Sequence, residues 1–215
     1  MIKWGLGGSS LLFILGKPNQ FMLKIFSQKE ILEKEDFFVQ EIQKGKVFIY
    51  PTDTLHGLGT DALNYHSVNR ISVIKKRSNK PFLIIAPSFE WIFENCLIEN
   101  AEIKKILFEK LPGRYSFILK LKKHKIINKN TNDQCPSIGI RMPDNWFYRL
   151  IKKSGRPFIS TSINFSGEPA VQNLEDLPIE ISQAVDYIIW DETLVGGKAS
   201  TIIDLTSGRS KVIRE

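Results

Sequence analysis

The sequence predicts an α/β domain around a largely buried sheet, on three observations. Phe82 to Ala86 is a short continuous apolar run that reads as a buried strand, and Tyr115 to Leu121 is a second strand. Between them lie segments with apolar residues at helical spacing, as in Ser67 to Arg77, where Val68, Ile71 and Ile74 share one stripe. Connections are short and no linker stands out, so 215 residues fit one domain.

The elements follow in order. Trp4 to Gly16 faintly resembles a signal-peptide core, but it holds four glycines, lacks a small-residue cleavage site and is too short to span a bilayer. Residues 1–21 therefore read as an added or misassigned leader, and the domain as 22–215. After Met22, Ser27 is placed to cap a helix with Glu30 at the N3 position. Ile31 to Gln43 reads as a helix ending near Gly45, and Val47 to Tyr50 as a strand. Ser67 to Arg77 is helical, capped by Asn64 or Ser67. Helices are expected over Phe89 to Cys96, Ala101 to Leu111 and Asn145 to Ser154. Strands are expected over Phe82 to Ala86, Tyr115 to Leu121, Ser137 to Arg141, Pro157 to Ser162, Tyr187 to Trp190 and Ser200 to Leu205.

Lys and Arg outnumber Asp and Glu by 30 to 23, a net charge of +7, which favours anionic partners without choosing among them. Cys96 and Cys135 form no C-x-x-C pair and read as reduced thiols of a cytoplasmic protein. No segment reaches transmembrane length, so no membrane partner is expected.

The loops carry the chemistry. Tyr50 to Ala62, YPTDTLHGLGTDA, leaves a strand through proline and places hydroxyls, a carboxylate and two glycines before the next helix, which points to a ligand. Gly57, Gly59 and Ala62 satisfy G-x-G-x-x-G/A. That fingerprint needs its first glycine at the strand end and an acidic residue about 20 positions on. Here the strand ends earlier and the later position is basic, so a dinucleotide site is disfavoured; a tight turn with glycines at positive φ stands as the alternative to a ligand loop. No P-loop is present. Lys75, Lys76, Arg77 and Lys80 sit where a helix gives way to a strand, either as a solvated helix end or as a phosphate clamp. STSINFSG (Ser160 to Gly167) ends another strand, and GGKAST (Gly196 to Thr201) precedes the last one. Ligands in open α/β sheets gather at such ends.

PTDT-x-x-G, K-x-R, K-P, PG-x-x-S, G-I-R-M-P, S-x-N-x-S-G, S-T-I-I-D-L and a late Arg occur in that order, and the combination resembles the YrdC/Sua5 family from Phe26 to Arg214. The resemblance implies a single YrdC-like domain, a twisted mixed sheet with flanking helices and a basic concave site. It implies synthesis of L-threonylcarbamoyladenylate, the first step of threonylcarbamoyladenosine modification at position 37 of tRNA. In that reaction threonine and bicarbonate or CO2 give a carbamate, whose carboxylate attacks the α-phosphate of ATP and expels pyrophosphate. Cations, oriented hydroxyls and backbone amides suffice for such a step, and no nucleophilic side chain is required.

By the same resemblance Lys75 and Arg77 fall on catalytic positions. Thr54, Arg141, Ser162 and Ser200 fall on threonine-binding ones, and Arg77, Lys80, Ser137, Asn164 and Arg214 on ATP-binding ones. Mg2+ is expected with ATP, and a threonylcarbamoyl-transferase complex is expected to take the product; tRNA or double-stranded RNA is a further partner. Four positions depart from the family. His56 replaces an aromatic, Ile85 a histidine, Ile163 an alanine (which would narrow the pocket) and Gln172 a threonine. An alternative is an RNA-binding module without synthase activity, with KLKKHK (Lys120 to Lys125) tracking a phosphate backbone rather than forming a solvated loop.

Overall fold

Ser27 starts the first helix as its sequence dictates: its hydroxyl accepts from Glu30 N while the Glu30 carboxylate accepts from Ser27 N, a complete capping box. The computed structural model describes residues 10–13, 22–76, 81–122, 135–194 and 197–215. Helix α1 (Gln28–Glu33) stops at Lys34 and α2 (Glu35–Gln43) begins at once, so the single helix expected here is broken. Lys34 is at φ −117°, ψ 32°, outside helical values. The break puts Glu35 and Asp36 in the first turn of α2, where acidic groups suit the helix dipole.

The remaining helices are α3 (Tyr65–Ile74), α4 (Phe89–Asn95), α5 (Ala101–Lys110), α6 (Tyr148–Ser154) and α7 (Ile179–Ala184). Asn64, Ser88 and Asn100 cap α3, α4 and α5 through side-chain oxygens. Each presents an apolar stripe to the sheet: Phe38 and Ile42 of α2, Val68 and Ile71 of α3, Ile103 and Leu107 of α5, Leu150 and Ile151 of α6 are all buried.

The strands are β1 (Ser10–Phe13), β2 (Met22–Phe26), β3 (Phe48–Tyr50), β4 (Gly57–Gly59), β5 (Leu83–Ile85), β6 (Tyr115–Lys120), β7 (Ser137–Arg141), β8 (Phe158–Ser162), β9 (Tyr187–Ile189), β10 (Thr201–Asp204) and β11 (Lys211–Arg214). They form one twisted mixed sheet in the order β1-β2-β9-β3-β4-β8-β5-β7-β6-β10-β11. The β2–β9, β3–β9, β5–β7 and β6–β10 pairs are parallel, and the others antiparallel. β1, inside the segment read as a leader, pairs antiparallel with β2.

β4 corrects the sequence reading. The sequence reading runs the loop after β3 straight to a helix, with positive φ at Gly57 and Gly59 as the alternative to a ligand loop. Instead both glycines lie in a strand paired with β3 and β8, and neither has positive φ. They are needed for close approach: a Cβ on either would meet the Tyr50 ring, and one on Gly59 would also strike the Ile159 carbonyl. Tyr50 is fully buried against Phe147 and Phe158.

Candidate functional site

The PTDT loop is folded on its own hydroxyls. Thr52 Oγ1 donates to Leu55 O (2.6 Å) and accepts from the Thr54 and Leu55 amides. Thr54 Oγ1 lies 3.0 Å from Thr52 Oγ1. The Thr52 proton goes to Leu55 O and its two lone pairs to the two amides, so this contact does not claim the Thr54 proton. Arg141 Nη2, from the end of β7, donates to Thr54 Oγ1 (2.7 Å) and to the Asp53 carboxylate.

The Arg141–Asp53 pair is buried, with side-chain exposures of 7% and 9%. Burial lowers the Arg141 pKa, and the Asp53 charge is the main opposing influence. Asp53 also accepts from Asp144 N (3.0 Å), and Asn145 Nδ2 donates to Pro51 O (2.6 Å). The loop after β7 is thereby fastened to the PTDT loop. Arg141 Nε is buried with no partner among the described residues, and Nη1 has none either.

The end of β8 brings Ser160 and Ser162 to the same place. Tyr50 donates its phenolic proton to Ser160 Oγ (2.7 Å), which leaves Ser160 its own proton to give. Ser162 donates to Asn164 Oδ1 (2.7 Å), so it faces a ligand as an acceptor. Behind this turn lies Lys75, only 2% exposed. Its ammonium donates to Ser162 O (2.7 Å) and to Asn164 Oδ1, while Lys75 O accepts from Ser166 N. Lys75 is therefore not part of a solvated helix end: it is the buried C-cap of α3, clamped to the Ser162 turn.

The third wall comes from the segment before β10. Ser200 Oγ pairs with Ser116 Oγ of β6 at 2.8 Å, and Ser200 O accepts from Arg214 Nε and Nη2 of β11. Gly197 lies so close to the Thr54 carbonyl that no Cβ could be placed there. These walls enclose a cavity of about 330 Å³ into which Thr54, Arg141, Ser160, Ser162, Ser200 and Arg214 all face. Leu55, Leu83, Ala199 and Ile202 give it an apolar side.

Thus Thr54, Arg141, Ser162 and Ser200, assigned to threonine from four separate stretches of sequence, meet in one cavity, and Arg214 joins them. Lys75 and Asn164 stand one layer behind Ser162. Ser137 lies at the far end of β7 from Arg141, about 13 Å along the strand. Arg77 and Lys80 fall outside the described residues, as do Lys123, His124 and Lys125 of the KLKKHK run. The described wall is rich in hydroxyls, and its most buried cation is neutralised by Asp53.

The departures from the family pattern resolve differently. Ile163 is fully buried and does not line the cavity, so the expected narrowing by its side chain does not occur. Ile85 is likewise buried in the sheet, and Gln172 is exposed. His56 does line the cavity. Sequence reasoning missed Asp53, Tyr50 and Ser160. The motif letters contain Asp53, but nothing local indicates that its partner is 88 residues away.

A hydroxyl-lined cavity at strand ends, closed by a buried arginine, defines a ligand-binding α/β domain. Residues 40–215 match the Sua5/YciO/YrdC family, described as "Telomere recombination", and the chain belongs to it. A protein of Methanocaldococcus jannaschii provisionally named a threonylcarbamoyl-AMP synthase is 35% identical over 204 residues, 94% of this chain and 95% of its own. P. abyssi Sua5 complexed with L-threonine superposes with a TM-score of 0.72 at 25% identity. That match covers 88% of this chain and 56% of Sua5, so the chain spans little more than half of Sua5's length. E. coli YciO superposes with a TM-score of 0.75 at 25% identity, over 90% of this chain and 96% of its own. Among the described residues no helix is long and apolar enough to cross a membrane.

Proposed function

We propose that the protein is a nucleotidyltransferase that forms L-threonylcarbamoyladenylate and pyrophosphate from L-threonine, bicarbonate or CO2, and ATP. The observation that carries this reading is the convergence of Thr54, Arg141, Ser162 and Ser200 on one cavity. The kinship with a provisionally named synthase and with a Sua5 that binds L-threonine supports it. Arg141 supplies a planar cation for a carboxylate, and Thr54 and Ser162 supply lone pairs for amine or hydroxyl protons. Arg214, with Arg77 and Lys80, would meet the triphosphate, and Ser137 and Asn164 would extend the nucleotide site.

Among the described residues no cluster of three or more His, Cys, Asp or Glu side chains could hold a metal. Mg2+ would enter with ATP, held by its phosphates. Charge that develops on the α-phosphate would be met by fixed cations, and catalysis would rest on positioning. The product, a mixed anhydride, would pass in the cytoplasm to a threonylcarbamoyl-transferase complex acting on tRNA.

The test is pyrophosphate release by the purified chain with ATP, Mg2+ and bicarbonate, with and without L-threonine. Threonine-dependent release is expected. Its absence from folded protein would sink the reading and favour an RNA-binding module, which direct titration with tRNA would then examine.

A further inference from the structure

His56 stands at the entry to β4 and lines the cavity, yet no role falls to it in the reading above. Its ring is 3% exposed and lies flat on Trp190, with ring centroids 3.8 Å apart and planes 7° from parallel. Nε2 accepts from Asp191 N at 3.0 Å. That bond requires a lone pair on Nε2, so the ring proton resides on Nδ1. Nδ1 has no partner among the described residues. Burial pushes the His56 pKa down to about 4, against the pull of Asp191, so the ring is neutral near pH 7.

The result is a donor of fixed plane and fixed tautomer in the wall of a cavity whose other groups are already sorted. Ser162 has given its proton to Asn164 and can only accept. Ser160, held by Tyr50, can donate, and Arg141 Nη1 is cationic. A ligand held by His56 must present an acceptor oxygen. Beside a guanidinium, the fitting class is a carboxylate oxygen.

We propose that His56 is a specificity-determining residue that donates from Nδ1 to a carboxylate-class oxygen of the amino-acid substrate, with Trp190 and the Asp191 amide fixing its orientation. The inference rests on the proposed threonine-binding function. The oxygen belongs either to the amino-acid carboxylate itself or to the N-carboxylate made from it, and the two are separable by experiment.

The first measurement is 15N NMR of the full chain with labelled histidine. The protonated Nδ1 resonance of His56 should move on addition of L-threonine alone if the amino-acid carboxylate is bound. It should move only when bicarbonate is also present if the N-carboxylate is bound. No movement with both at saturation would overturn the proposal. The second is calorimetric titration of L-threonine, with and without bicarbonate. His56→Phe keeps the stack and loses the donor, and should weaken binding about tenfold or more, the usual scale for a hydrogen bond to a charged group. His56→Asn, whose amide can stand near the Nδ1 position, should recover part of the loss. Wild-type affinity in His56→Phe would overturn the proposal while leaving the functional reading intact. Failure of wild-type protein to bind threonine would sink both.

Discussion

Arg141 and Asp53 form a buried ion pair in which the same Arg141 Nη2 also donates to Thr54, so the PTDT loop and the end of β7 behave as one unit. Breaking a buried pair from one side leaves an uncompensated charge, at about 3–5 kcal/mol. We predict that Asp53→Ala destabilises by about that much, measured by urea unfolding. Asp53→Asn, which keeps an acceptor, should lose less. In both, the threonine KM should rise more than kcat falls, because Asp53 orients Arg141 and does not touch the reacting atoms. Native stability in Asp53→Ala would show that the pair contributes nothing.

Lys75 invites a different expectation from the one its place in a basic cluster suggests. Its ammonium is buried on Ser162 O and Asn164 Oδ1, so removal takes a charged donor from both, leaving Asn164 Oδ1 with Ser162 Oγ alone. We predict that Lys75→Met lowers stability by about 1–3 kcal/mol and weakens threonine binding through the loosened Ser162 turn. Lys75→Arg should not restore either, since a planar fork cannot replace a compact ammonium in this space. Thermal unfolding and threonine titration of both variants test this. A fully stable Lys75→Met would mean that the clamp is dispensable.

How much of this was legible in the sequence depended on the range of the interaction. Caps and stripes are local, so Ser27, Asn64 and the Val68–Ile71–Ile74 face were readable and are found as read. β4 was not, because its glycines carry no strand propensity and exist for the ring of Tyr50, a cross-strand partner. β11 was missed because it is exposed along its whole length and shows no burial pattern. At the site, motif order located Thr54, Arg141, Ser162 and Ser200. The pairs Tyr50–Ser160, Arg141–Asp53 and Ser116–Ser200 join residues 84 to 110 positions apart, and no spacing rule reaches them.

Acid should expose the cost of burying His56. Its pKa falls from the ordinary 6.5 to about 4 in the folded chain. Between those values the unfolded chain binds more protons than the native one, so stability declines as pH falls, by up to about 1.4 kcal/mol per unit. We predict that wild type loses stability between pH 6.5 and 4 more steeply than His56→Phe does, with the two slopes equal above pH 7. Urea unfolding across that range checks it. Equal slopes throughout would show that His56 is protonated as readily folded as unfolded.

Gly197 touches the Thr54 carbonyl where no side chain fits. We predict that Gly197→Ala pushes the segment bearing Ser200 outward and raises the threonine KM severalfold. The effect on folding should be small, since the segment is a surface connection. Unchanged threonine affinity in Gly197→Ala would mean that the Ser200 wall is not used.

Amino-acid choice tests the polarity sorting most directly. Ser162 retains only lone pairs toward the cavity, and Thr54 keeps a lone pair besides the one Arg141 uses; both suit the proton of a substrate β-hydroxyl. Valine would leave those acceptors unpaired, and sites built to hydrogen-bond a hydroxyl reject such analogues by large factors. Serine keeps the hydroxyl and lacks only a methyl, worth about 1–3 kcal/mol. Because Ile163 is buried elsewhere, the methyl must be read by the apolar side formed from Leu55, Leu83, Ala199 and Ile202. We predict pyrophosphate release in the order threonine, then serine at a detectable rate, then valine near background. Leu83→Ala should narrow the gap between threonine and serine without admitting valine. Valine turning over as fast as threonine would show that the hydroxyl is not read, and would remove Thr54 and Ser162 from the pocket's chemistry.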